Sequence, residues 1–166
     1  MKHSSASEVR HAHTEILRWP TERSLDWVCS FLDAAAADER IVAVVAIGSA
    51  VRPNVSSADL DLIMITTDPG ISAGAPPLEI DLRAYSAAQV EAQIGNGHDL
   101  LGWAIKYGKV LFQRDRYWDK IVDSWQYRLP LPSAAVARVR TANSYRRLVE
   151  IAESCDTDAA LELALS

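Results

Sequence analysis

Two apolar runs joined by a short polar turn constrain this chain more than any other feature. The first, Ile41 to Ile47, is too short and too β-branched for a helix and reads as a core strand. It delivers the chain into Gly48-Ser49, a turn follows, and a second apolar run opens with Asp59-Leu60-Asp61-Leu62. Side chains alternate faces along a strand, so Asp59 and Asp61 should point one way while Leu60 and Leu62 point the other. Two carboxylates about 4 Å apart repel by roughly 4 kcal/mol at an effective dielectric near 20, so such a pair must share a proton or hold a cation. Oxygen ligands alone favour a hard ion, magnesium or else manganese, over zinc.

The flanking turn suits a phosphate. Gly48 lets the backbone approach a ligand closely, and Ser49 offers a hydroxyl beside backbone N–H groups. A helical turn after Gly48-Ser49 would aim its N–H groups the same way. Arg52 follows before Pro53 stops that turn; a phosphate ligand and an ordinary surface arginine are equally open readings for it. A third carboxylate comes from Leu78-Glu79-Ile80-Asp81-Leu82-Arg83-Ala84-Tyr85. Its alternation sets Leu78, Ile80, Leu82 and Ala84 on one face and Glu79, Asp81, Arg83 and Tyr85 on the other. Paired beside the Asp59 strand, it would bring Asp81 to the same ions, with Glu79 and Arg83 flanking. Three such carboxylates can bind two metals roughly 3.5 to 4 Å apart, the spacing used for in-line displacement.

Gly48-Ser49, nine residues, Asp59-x-Asp61 and a later Asp81 between apolar residues resemble the polymerase β-like nucleotidyltransferase superfamily, in particular its small prokaryotic members of the minimal antitoxin type or the aminoglycoside-modifying type. The turn is one residue shorter than is usual there. Ala58 stands where the family commonly has Ser, with Ser57 one place earlier. The resemblance covers roughly residues 25 to 115. It implies an α/β (α+β) fold, a small mixed sheet flanked by helices, as a domain over residues 1–114. It implies magnesium-dependent transfer of a nucleoside monophosphate, AMP from ATP as the first choice, to a hydroxyl on a protein or small molecule, with release of pyrophosphate. Asp59 and Asp61 would hold both metal ions, and Asp81 would share the one that activates the hydroxyl. Gly48 and Ser49 would fix the β and γ phosphates. The alternative is a noncatalytic module of the same fold that binds a protein partner; a phosphohydrolase using the same metals comes third.

Composition trims the field. A chain of 166 residues with a formal net charge of −5 lacks the concentrated basic surface that nucleic-acid backbones require, so a nucleic-acid partner is not expected. Cys29 and Cys155 lie too far apart in sequence to read as a disulfide framework or a zinc pattern. The polar start, Met1-Lys2-His3-Ser4-Ser5, has no apolar signal region, and no long apolar span follows, so the expected setting is cytoplasmic with no membrane partner.

Around this centre the sequence predicts helices over residues 7–18, from Thr21 or Ser24 through 34–37 with Leu25, Val28, Cys29 and Leu32 inward, from Ser86 to Gly95, and over 99–107 with Leu100, Leu101, Ala104 and Ile105 inward. A breaker-rich loop spans 66–77, and Lys109 to Gln113 reads as an edge strand. His3, His11 and His13 carry no assigned role, and His98 reads as a helix-start residue. Residues 115–166 form a helical appendage, with a stripe of Trp118, Ile121, Val122 and Trp125, then a long helix from Ser133 to about Ser154. That helix should turn Val136, Val139, Ala142, Leu148 and Ile151 toward a neighbour and carry Arg138, Arg140, Arg146 and Arg147 outside. The last segment, 156–166, barely uses its apolar face, so a truncated helical layer and a surface completed by a partner or a second copy are both open.

Overall fold

The computed structural model of the chain describes residues 16–53, 59–68, 70–71, 74–131 and 134–153. The N-terminal histidines, Ser57, Ala58, Cys155 and the segment 156–166 lie outside the described residues, as does most of the helix expected over 7–18; residues 16–18 are not helical. Two compact units divide the chain, Met1–Pro130 and Leu131–Ser166.

The first unit is a mixed α/β layer structure. Helix α1 (Glu22–Ala37) begins at Thr21, whose hydroxyl caps the Ser24 N–H. Strand β1 (Ile41–Ile47) leads through a 3₁₀ turn (Ser49–Val51) to β2 (Leu60–Thr66), β3 (Ile80–Ser86), α2 (Ala87–Gly95), α3 (Asp99–Tyr107), β4 (Lys109–Gln113) and α4 (Tyr117–Trp125). The four strands lie in the order β3-β2-β1-β4. β1 pairs antiparallel with β2 and β4, whereas β2 and β3 are parallel.

Alternation along the strands makes two cores. Val44, Ala46, Leu60, Leu62, Met64 and Ile80 pack with Val28, Phe31, Leu32 and Ala35 of α1 on one face. Ala43, Val45, Ile47, Ile63 and Ile65 meet Val90 and Ile94 of α2, Leu101, Ala104 and Ile105 of α3, and Trp118 and Ile121 of α4 on the other. Both faces of the central strands are covered, which is why β1 and β2 read as nearly continuous apolar runs. On α1 the buried stripe adds Phe31 and Ala35 to the expected Val28 and Leu32, while Leu25 and Cys29 are half-buried. Burial pushes the Cys29 thiol up, helped by the charges of Asp26 and Asp33.

Leu78 departs from the expected alternation. It lies in the turn before β3 and is fully exposed, and Ala84 is exposed as well. β3 is an edge strand, so its apolar positions are covered only where α1 reaches, at Ile80 and partly at Leu82. His98 stands at the N-cap of α3, its Nδ1 accepting from the Leu101 N–H at 3.5 Å. Gly108 allows the reversal from α3 into β4, because a Cβ there would meet the Ala104 carbonyl at 2.5 Å and Val45 Cγ1 at 2.8 Å. No described helix is long and apolar enough to cross a membrane.

One side chain ties these layers together. Helix α1 has no basic residue in its last turn, and its terminal carbonyls need donors. Arg114, just past β4, supplies them: Nη2 donates to the carbonyls of Ala35 (3.0 Å), Ala36 (2.7 Å) and Asp38 (3.2 Å), and Nε to that of Ile41 at 3.0 Å. Its guanidinium lies 5.2 Å over the Phe112 ring. In the second unit, α5 (Ala134–Glu153) leaves Val136, Val139 and Ala142 exposed rather than covered, together with Tyr145 and Val149; the side chains of Leu148 and Ile151 lie outside the described set. Nothing among the described residues buries that apolar row.

Arg114→Ala removes a donor from four carbonyls, of which that of Asp38 keeps the Ile41 N–H at 3.0 Å, and should lower stability by about 2 to 3 kcal/mol, the range for hydrogen bonds to a charged group. The urea midpoint should fall with an unchanged slope. Arg114→Lys, a point charge without the planar fork, should recover less than half of the loss.

Candidate active site

The candidate site lies where β1 ends and β2 and β3 begin. Ile47, the last residue of β1, is the register partner of Asp61 on β2, and Asp61 is in turn the register partner of Asp81 on β3. Adjacent strands lie about 4.8 Å apart, so the two carboxylates are neighbours on the face that carries Ile63 and Ile65 further along.

Gly48 closes this end from the β1 side. Its φ of 82° is in the region that L side chains avoid, and a Cβ there would collide with Asp61 Oδ2. The backbone at 48 thus lies directly against the Asp61 carboxylate, which only glycine permits. Asp59 sits one residue outside β2 and is exposed. It therefore escapes the pleat that fixes Asp61.

The repulsion between paired carboxylates is answered by a side chain. Arg83, two residues along β3 and so on the same face as Asp81, donates to Asp81 Oδ2 from Nη2 at 2.6 Å and from Nε at 2.9 Å. The Arg83 guanidinium holds its proton more tightly than usual, chiefly through that hydrogen bond, with the charges of Asp81 and Asp61 adding to it. Both partners stay partly open to solvent, 53% exposed for Arg83 and 44% for Asp81. Glu79 does not join them: it precedes β3, and its Oε1 accepts from the Thr21 hydroxyl at 3.2 Å, at the start of α1.

Ser49 opens the 3₁₀ turn and is buried, 5% exposed. Arg52 closes the turn through its N–H to the Ser49 carbonyl at 3.1 Å. Its guanidinium lies 5.6 Å from the centre of the Trp103 ring, and its Nε is buried without a hydrogen-bond partner. Trp103 was not foreseen as a neighbour of the site. Its signal was available: it falls off the stripe of Leu101, Ala104 and Ile105 that α3 buries, so it needed another partner. Tyr85 stands edge-on to His98 with ring centres 5.5 Å apart, and its phenol is pushed up, first by burial.

The donor chemistry fits a hard divalent cation: oxygen ligands from neighbouring strands, with a glycine cradle beside one of them. Among the described residues, however, no three His, Cys, Asp or Glu side chains converge on one point as they stand. Arg83 engages Oδ2 of Asp81, and Asp59 lies just outside β2.

No protein-family model matches the chain, and no curated protein matches it. Among solved structures the chain is similar to a nucleotidyltransferase-like protein from Exiguobacterium sibiricum 255-15, with 16% sequence identity and a TM-score of 0.47, over 75% of this chain and 44% of that one. The chain thus spans less than half the length of that structure.

Because Arg83 neutralises the carboxylate pair, Arg83→Gln should lower stability by about 1 kcal/mol in buffer containing a chelator, the upper range for a partly exposed ion pair. Millimolar magnesium should restore most of the lost urea midpoint. In Arg83→Gln combined with Asp81→Asn the magnesium effect should vanish.

Proposed function

We propose that this chain is a magnesium-dependent nucleotidyltransferase, moving AMP from ATP to a hydroxyl on a protein or small molecule and releasing pyrophosphate, in a cytoplasmic setting. The observation that carries this reading is the register pairing of Asp61 with Asp81 beside the glycine that lies against Asp61. A fold has no structural need for two repelling carboxylates in register at an open sheet end, with an arginine required to offset them.

In this reading Asp59 and Asp61 would hold both metal ions, and Asp81 would share the one that activates the acceptor hydroxyl. Bound magnesium would offset phosphate charge and make the acceptor hydroxyl easier to deprotonate. Gly48 gives the triphosphate room to approach the backbone. Arg83, once released from Asp81, would lend a positive charge to the oxygens of the transferring phosphoryl group, where negative charge builds. The acceptor oxygen forms the new bond to the α phosphorus while the bond to the β phosphate oxygen breaks, and the hydroxyl proton passes to solvent. Positioning and charge neutralisation supply most of the rate, as in other phosphoryl transfers.

A second reading is a noncatalytic module that docks a protein partner, favoured by the exposed Val136, Val139, Tyr145 and Val149 of α5. The two separate in one titration. Calorimetry with ATP should show binding that requires magnesium and is at least tenfold weaker in Asp59→Asn/Asp61→Asn. ATP binding that is absent from the folded wild type, or indifferent to magnesium and to these substitutions, contradicts nucleotidyl transfer.

A further inference from the structure

Strand β3 closes one edge of the sheet, and among the described residues no strand lies beyond it. The ladder with β2 fixes which of its backbone groups face that edge. The Leu60 N–H donates to the Glu79 carbonyl at 2.8 Å, and successive residues of a strand turn their N–H and C=O groups to opposite sides. Asp81, Arg83 and Tyr85 therefore bond toward β2, while Ile80, Leu82 and Ala84 direct theirs outward. The Ile80 N–H agrees with this sense, since it closes onto the Pro77 carbonyl at 3.0 Å instead of onto β2.

An open edge is a template for another strand, and the side chains it carries decide which strand fits. Asp81 and Arg83 are exposed on one face of β3, opposite in charge and two residues apart, with Leu82 half-buried between them on the other face. An antiparallel copy of the same strand centred on Leu82 sets each Asp81 across from the other copy's Arg83. Centred on Asp81 or on Arg83 it would set like charges opposite each other, and a parallel copy in register would do the same. The strand is therefore complementary to itself in one register.

We propose that two copies of this chain pair antiparallel through β3 about a twofold axis at Leu82, joining their four-stranded sheets into one. Each Leu82 exchanges both backbone bonds with its counterpart, and each Ala84 N–H meets the opposite Ile80 carbonyl. The Asp81–Arg83 pairs then fall at the narrow positions of the ladder, with Cα atoms about 4.5 Å apart. Arg83 of the second copy thereby adds a cation to the sheet end where Asp61 and Asp81 lie, so each copy contributes a residue to the other's carboxylates. The pairing does not depend on nucleotidyl transfer, and it uses a surface separate from the exposed row on α5.

The test is sedimentation equilibrium of the whole chain over a range of concentrations up to its solubility limit, with a chelator present. Wild type should approach twice the 18.2 kDa of one chain. Arg83→Asp and Asp81→Arg each set like charges across the pair and should weaken association at least about tenfold, whereas Asp81→Arg/Arg83→Asp should restore it. Ala84→Pro removes an outward N–H without touching the β2 ladder and should be monomeric. Each variant is first shown to unfold cooperatively; if Ala84→Pro does not fold, the charge series decides alone. In amide hydrogen exchange, Leu82 and Ala84 should gain protection as wild type is concentrated. Wild type that stays monomeric, single charge variants that associate as wild type does, or a double variant no tighter than the single ones overturns the pairing. So does a dimer in which the amides of Leu82 and Ala84 exchange as in the monomer, because association then uses another surface.

Discussion

Two carboxylates in register on neighbouring strands are the constraint on which this structure turns. The pairing of Asp61 with Asp81 is fixed by the β2–β3 ladder, and that ladder is fixed by apolar residues facing the other way. A slip of one residue would carry Leu60, Leu62 and Ile80 out of their core, so the carboxylates cannot separate without cost to the fold. Arg83 offsets the resulting repulsion from within the same strand, and Gly48 gives up its side chain so that β1 can end against Asp61. Stability of the sheet and the charge of the site are thus one problem.

The rest of the first unit holds that sheet end in place. Helices cover both faces further along the strands, and Arg114 locks the end of α1 to the start of β1. The carboxylates are left where helix cover runs out. Asp38 shows the same economy in charge pairing: hydrogen bonds from Arg40 hold its carboxyl at about 2, so its contribution is complete above the ordinary carboxylate range and fades only as pH falls toward that value.

Most of this architecture was legible in the sequence because it follows from two periodicities. The bounds of β1, α3 and β4, the buried Trp118 and Ile121, and the shared face of Asp81 and Arg83 all follow from spacing. Leu78 was misplaced because alternation says nothing about where a strand begins, and only the coverage of an edge strand decides it. Glu79 followed the same rule into error; one residue before the strand, it turns to Thr21 instead of joining Asp81. The contact of Arg52 with Trp103 and the attachment of Arg18 to the turn join residues 51 and 32 positions apart, and no local pattern encodes such pairs.

The claim that the Asp61–Asp81 pair is a divalent-cation site, with Arg83 standing in for the cation, is tested most directly by electron paramagnetic resonance titration of manganese. Wild type, Asp61→Asn and Arg83→Gln would be compared without nucleotide. The account predicts a saturable site in wild type, its loss in Asp61→Asn, and severalfold tighter binding in Arg83→Gln, where the competing charge is gone. Equal manganese binding by all three proteins, or none in any of them, would contradict it.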